Sequence, residues 1–235
     1  MSDFTLTFPT TFPAIENKSQ HFTSSPRHFA FLIGAHTEDR HRNNISLAYQ
    51  VLIESGYSPR NVFIADSEGG NPAIFPIDAV ATISSIKMVF ETLQENITPE
   101  DTILIYLTGH GEKNENGAVY LLVNKQEKIA YQEFVNEITK LHPKNGIIFF
   151  DNCYWGVPET NRKEFVFISV ADFNHVSIGN DFARYFFRYI RANQEESPNI
   201  LDAFEYTKDK DKDNIHATLK SNDLTLTLLG DKVEE

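Results

Sequence analysis

A thiol and an imidazole together make a nucleophile with its base, and in this chain each sits at the end of an apolar run. Cys153, the only cysteine, closes "GIIFFDNC", and His110, set between Gly109 and Gly111, closes "ILIYLTGHG". The thiolate is the reactive form of cysteine, and an imidazolium nearby lowers the thiol pKa. Gly109 and Gly111 give the backbone conformational freedom and keep the space beside the imidazole clear of side chains. The N–H groups of Gly111 and Cys153 would then form an oxyanion hole for an acyl-transfer intermediate. Each residue also has a plainer reading, a small buried hydrophobe for the cysteine and an ordinary hydrogen-bonded residue for the histidine. The pairing of two such strand ends favours the dyad.

For the pair to meet, both runs must be strands of one parallel sheet. "HFAFLIG", "NVFIAD", "TILIYLTG", "GIIFFD" and "EFVFISVAD" read as strands, continuous apolar runs bounded by Gly, Asp or charged residues. Between them lie helical stretches. "NNISLAYQVLIESGY" would be capped by Asn43 or Asn44 and closed by Gly56, and it is followed along the chain by "AVATISSIKMVFETLQEN", "AYQEFVNEITKLH", "IGNDFARYFFRYIRANQ" and "NILDAFEYTKDKD". "GAVYLLV" reads as a short extra strand and "LTLTLLGD" as a late one. Alternating strands and helices with unbroken apolar strands predict an α/β fold, a mostly parallel central sheet flanked by helices on both faces. Functional groups of such sheets sit at the carboxyl ends of the strands. The 42 residues between His110 and Cys153 are the right length for one crossover between neighbouring strands. Residues 1–27 read as an irregular lead-in and 28–235 as a single domain.

The formal net charge of −12 disfavours nucleic acid and anionic membrane as partners, since both are polyanions. A single cysteine permits no internal disulfide, and neither a signal peptide nor a membrane span is apparent, so a cytoplasmic location is expected. The N-x-S/T sequons at Asn17, Asn44 and Asn96 are then coincidental.

The two blocks resemble the clan of cysteine peptidases that includes legumains, caspases, gingipains and separase, which is marked by an apolar block ending in His-Gly and another ending in acidic-x-Cys. The similarity is closest to the legumain family, through Arg40-His41 and Ala48-Tyr49 in "HFAFLIGAHTEDRHRNNISLAYQ", and it covers about residues 28–175. The resemblance implies a caspase-like fold, a His110/Cys153 dyad without a required third member, no cofactor, and a polypeptide substrate. It also implies a pocket for the side chain before the scissile bond (P1), with Arg40, His41 and Asp151 lining it and Ser169 as a further contributor. An arginine with a carboxylate suits the amide of Asn, and arginine alone suits Asp, so cleavage after Asn, then Asp, is expected. A peptide ligase or transamidase, and a catalytically idle caspase-like binding module, are the alternatives. The family's Glu-Ala-Cys-x-Ser-Gly is here Asp151-Asn152-Cys153-Tyr154-Trp155-Gly156, which shortens the acidic side chain and places Trp155 beside the nucleophile. The family's long C-terminal prodomain has no counterpart in the sequence, and control by one is not expected.

If the chain processes itself, 66–80 and 154–164 are the expected loops, with Asn71, Asp78 and Asn161 as P1 residues. His36 and His41 with Glu38 and Asp39 match no common zinc spacing and read as a solvated loop; no metal site is expected. "DKDKDNIHATLK" lacks Gly at its sixth position (Asn214) and Glu at its twelfth (Lys220), so it reads as a solvated turn rather than a calcium loop. Phe182, Phe186, Tyr189 and Ile190 recur at helical spacing and read as a core face.

Overall fold

The computed structural model describes residues 14, 15, 18, 26–67, 75–178, 181–221 and 226–228. Seven strands form the central sheet in the order β3-β2-β1-β4-β8-β9-β10. β1 (His28–Gly34), β2 (Val62–Asp66), β3 (Ala79–Val80), β4 (Thr102–Thr108), β8 (Asn145–Asp151) and β9 (Phe165–Ser169) run parallel; β10 (Thr218–Lys220) adds antiparallel to β9. Three short strands, β5 (Gly111–Lys113), β6 (Val119–Leu122) and β7 (Lys128–Ala130), make a separate antiparallel sheet. "GAVYLLV" is therefore a strand, as expected, but outside the central sheet.

Alternate residues along each central strand face opposite sides. Phe29, Phe31 and Ile33 of β1 join Ile103, Ile105 and Leu107 of β4 in one core, with Ile148 and Phe150 of β8. Ala30 and Leu32, Leu104 and Tyr106, and Ile147 and Phe149 join the other. Both faces need apolar cover, which is why these strands read as unbroken apolar runs. Helices α2 (Ile83–Asn96) and α3 (Tyr131–Thr139) cover the first face through Ile86, Phe90, Leu93, Phe134 and Ile138. Helices α1 (Asp39–Glu54), α4 (Asp181–Ala192) and α5 (Ile200–Lys210) cover the second. The aromatic face of α4 packs inward as expected, with Phe182, Phe186 and Ile190 buried and Phe187 beside them.

Several boundaries differ from the sequence reading. Helix α1 begins at Asp39 rather than at Asn43 or Asn44, with Glu38 as an N-cap that makes no side-chain capping bond. Its first turn, "DRHR", is polar and carries no apolar period to betray it. It ends as expected, with Gly56 at φ +90°. The head of the second helical stretch, Ala79–Val80, is the two-residue β3, and Thr82 then caps α2 in a capping box with Ser85. The end of "DKDKDNIHATLK" is the edge strand β10 rather than a solvated turn. Most of the expected late strand lies outside the described residues; its Thr227 bridges Asn199 antiparallel. Only residues 14, 15, 18, 26 and 27 of the lead-in are described.

At the amino edge of the sheet, Asp101 holds three strands together. Its Oδ1 accepts the Arg27 main-chain N–H at 2.8 Å, and its Oδ2 accepts Arg27 Nη2 and the Thr98 N–H, each at 2.8 Å. Its carbonyl accepts the Lys144 N–H at 2.8 Å. The starts of β1, β4 and β8 are thus tied to one residue, fully buried, through its carboxylate and its main-chain carbonyl. Burial pushes that carboxyl up, but the hydrogen bonds from Arg27 and Thr98 outweigh it and hold it below its usual range.

Candidate functional site

The register of the central strands brings the two ends together. β4 and β8 are neighbours, and Thr108 pairs with Asp151. His110 and Cys153 each lie two residues beyond that pair, at the carboxyl edge of adjacent strands. They share a small, open cleft with Arg40, His41 and Asn44 from the first turns of α1. Gly109, Asp151 and Asn152 complete its floor, and Ser177, from the loop after β9, closes one side. Cys153 is half-buried, and its Sγ lies 3.8 Å from the Ser177 carbonyl. His110 Nε2 lies 3.1 Å from Glu38 Oε1. No hydrogen bond joins sulfur and imidazole in this state; such bonds commonly tighten only around substrate.

The two amides expected of an oxyanion hole are both available. Leu122 N–H donates to the His110 carbonyl at 3.0 Å, which makes Gly111–Leu121 the non-bonded pair of the β5–β6 ladder. The Gly111 N–H therefore turns away from β6. The Cys153 N–H meets no acceptor among the described residues. Neither Gly109 nor Gly111 has a positive φ, so what demands glycine is space rather than conformational freedom. A Cβ on Gly111 would lie 1.8 Å from the Cys153 carbonyl oxygen, and one on Gly109 would lie 2.8 Å from Ala35 Cβ. The residue after the nucleophile does carry strain: Tyr154 has φ +63°.

Thr108 and Asp151 project from the sheet face that α1 covers, and they organise a buried polar relay. Tyr106 Oη, Thr108 Oγ1 and Asn44 Nδ2 all donate to Asp151 Oδ2, at 2.7, 2.9 and 3.3 Å. Oδ1 has no donor among the described residues. Burial pushes the Asp151 carboxyl up, against the pull of those three donors. Because the one Thr108 hydroxyl proton goes to Asp151, His41 Nδ1, 2.6 Å from Oγ1, must be the donor to Thr108. His41 Nε2 is then an unprotonated lone pair, buried and without a hydrogen-bond partner among the described residues. His41 is only 4% exposed, and burial, reinforced by the Arg40 and His110 charges, pushes its pKa down to about 3. Glu38 is held at about 2, foremost by its hydrogen bond with His110, then by Arg40 against partial desolvation.

Of the expected site residues, His110, Cys153, Arg40, His41 and Asp151 line one cleft, and Gly111 packs directly against Cys153. Ser169 does not line it. It is fully buried, its hydroxyl set against the carbonyls of Trp155 and Ala171, where it fixes the turn after β9. Trp155 does not crowd the nucleophile either. It points into the core, fully buried against Tyr131, Phe134 and Phe150. The solvated-loop reading is corrected at His41, which is buried in the first turn of α1. Ligand-capable atoms of His36, Glu38, His41 and His110 all lie within 4.8 Å of one another. Sequence reasoning missed Asn44, Asn152 and Ser177, polar residues with nothing in their spacing to mark them. It also missed the pairing of Glu38 with His110, which lies 72 residues further on. Among the expected self-cleavage positions, Asp78 is tied to Lys18 and to the Ile64 N–H with its side chain 5% exposed, Asn161 is exposed, and Asn71 lies outside the described residues.

Among the described residues no helix is long and apolar enough to cross a membrane. No protein-family model matches the chain, and a search of curated proteins finds no match to it.

Proposed function

We propose that the chain is a caspase-like cysteine endopeptidase, nearest in its motifs to the legumain family. The single observation that carries this reading is the cleft that His110 and Cys153 share at equivalent positions beyond two adjacent parallel strands. Cys153 Sγ attacks the scissile carbonyl, the Gly111 and Cys153 amides hold the oxyanion, and His110 protonates the leaving amine. Water then releases the acyl-enzyme. The order β2-β1-β4-β8-β9 with an antiparallel edge strand suits a caspase-like sheet, and it supports the reading alongside the sequence blocks.

Arg40, His41 and Asp151 form the P1 subsite. An Asn side chain offers two N–H donors and a carbonyl. Among the described residues Asp151 Oδ1 and His41 Nε2 are acceptors without hydrogen-bond partners, and Arg40 is a donor. That set favours Asn over Asp. Beyond His36, whose ring stacks edge-on to His110 at 4.3 Å, a second and more apolar depression runs past Ala35, Val80 and Leu122. It gives an extended polypeptide room on that flank.

Purified wild-type chain should hydrolyse fluorogenic peptides with Asn at P1, and Cys153→Ala should abolish turnover while leaving the unfolding temperature nearly unchanged. Activity that survives in Cys153→Ala rejects the dyad. The pairing of His110 with Glu38 rather than with sulfur favours one second reading, a catalytically idle module. Rapid iodoacetamide labelling of Cys153 that rises with a thiolate titration would argue against idleness, and slow labelling would support it. Product analysis with an added amine distinguishes a peptide ligase from a hydrolase.

A further inference from the structure

We propose that His36, Glu38, His41 and His110 form a binding site for a divalent transition-metal ion of the zinc class, placed on the imidazole that the dyad uses. Three imidazoles and one carboxylate are a donor set suited to zinc, and imidazole also suits copper and nickel. Bonds of about 2.0–2.2 Å at tetrahedral angles set donor atoms about 3.3–3.6 Å apart. His110 Nε2 already lies 3.1 Å from Glu38 Oε1, His36 Nδ1 lies 3.8 Å from the same oxygen, and His41 Nε2 lies 4.0 Å from Glu38 Oε2. All four ligand-capable atoms lie within 4.8 Å of one another, and the side chains would draw in to reach the tetrahedral spacing.

The independent observation is His41. Its Nε2 is buried, unprotonated and without a hydrogen-bond partner among the described residues, facing the other three donors. A buried acceptor left unsatisfied is costly, and a metal ion would satisfy it. Behind it stands the support that metal-bound histidines characteristically have: Nδ1–H donates to Thr108, which donates to the Asp151 carboxylate. That relay fixes both the tautomer and the ring orientation. His36 Nδ1 accepts a long 3.3 Å bond from the Glu38 N–H, which metal binding would replace. Glu38 can keep its Oε2 bond to Arg40 at 2.6 Å while Oε1 turns to the ion. The Arg40 charge opposes the cation and sets the affinity below that of a closed structural site.

The regulatory consequence rests on the peptidase reading. An ion on His110 Nε2 leaves the ring's one proton on Nδ1, so neither nitrogen can take the thiol proton, and the ion and the dyad compete for one imidazole.

The test separates the two claims. Metal-stripped full-length chain is titrated with zinc chloride by calorimetry, and with cobalt chloride by visible spectroscopy. One equivalent should bind, with the spectrum of tetrahedral cobalt and no thiolate-to-cobalt charge-transfer band. Binding should persist in Cys153→Ala and weaken at least tenfold in His36→Asn, a half-exposed position outside the proposed dyad and pocket. It should also persist in His216→Asn, which disables the more exposed Asp172, His175 and His216 group where ligand atoms also gather. No binding, binding indifferent to His36→Asn, or binding lost in Cys153→Ala overturns the metal site. In peptide hydrolysis, zinc should inhibit wild type reversibly with chelator, and the inhibition curve of His36→Asn should shift by at least tenfold. Should no peptide be hydrolysed at all, the peptidase reading fails, and the calorimetric arm still decides the metal site.

Discussion

A methyl group added to Gly111 would land 1.8 Å from the Cys153 carbonyl oxygen. Main chain cannot swing aside as a side chain can, so Gly111→Ala must move the Cys153 segment or the β4–β5 turn. Overpacking of this kind costs about 1–3 kcal/mol in stability. A displacement near 1 Å in the reacting groups lowers turnover by about 100-fold. Gly111→Ala is therefore expected to unfold only modestly earlier than wild type in a thermal melt while losing almost all hydrolysis of a P1-Asn peptide. Wild-type turnover in that variant would mean the nucleophile does not depend on this contact. The sequence marks His110 and Cys153 because each ends a buried run. It does not mark the reason Gly111 must be glycine, because that reason is a contact with a residue 42 positions away. Ser169 was misplaced for a related cause. A hydroxyl at a strand end reads alike whether it faces a cleft or, as here, binds the carbonyls of Ala171 in its own turn and of Trp155.

Elements carry the register on which the site depends. The central strands were legible because burial on both faces makes each an unbroken apolar run. Of the small sheet only β6 was, as "GAVYLLV"; β5 and β7, three residues each, show too little alternation to declare a face. The start of α1 was hidden by its polar first turn, and that turn delivers Arg40 and His41 to the cleft. At the opposite edge, Asp101 fixes where β1, β4 and β8 begin, and hence where β4 and β8 end. Breaking a buried ion pair by removing one partner typically costs about 3–5 kcal/mol. Asp101→Asn should lose close to the lower end of that range at neutral pH, because the amide retains part of the hydrogen bonding. Denaturant unfolding checks this. The difference from wild type should shrink as pH falls below 3.8, the ordinary value of that carboxyl, because the wild-type group then protonates as well. A gap unchanged at low pH would place the stabilisation elsewhere.

For the molecule as a whole, the carboxyls set its response to acid. Glu38 is held at about 2 against an ordinary 4.5, and Asp101, Glu164 and Asp172 are also held below their ordinary values. Groups depressed in the folded state bind fewer protons there than in the unfolded chain. Their stabilisation is complete above about pH 4.5 and is lost as pH falls toward about 2. Asp151, raised by burial, works in the opposite direction. Circular dichroism against pH should accordingly place acid unfolding within that window. A midpoint above pH 5 would require a different titrating set. The two-faced architecture and the meeting of the two strand ends could be read from the linear order of residues. The four-membered His36, Glu38, His41 and His110 cluster could not, since it gathers a loop, a helix turn and a distant strand end that only the completed sheet brings together.

The flanks of the central sheet are short: two residues, Ala79–Val80, on one side and three, Thr218–Lys220, on the other. Among the described residues, a stranger's strand looking for a rail of open amides to zip along finds only a few rungs at either margin. Self-association of this chain would then have to use helix flanks or loops. Raising the protein concentration should leave hydrogen exchange at 79–80 and 218–220 as fast as it is in dilute solution.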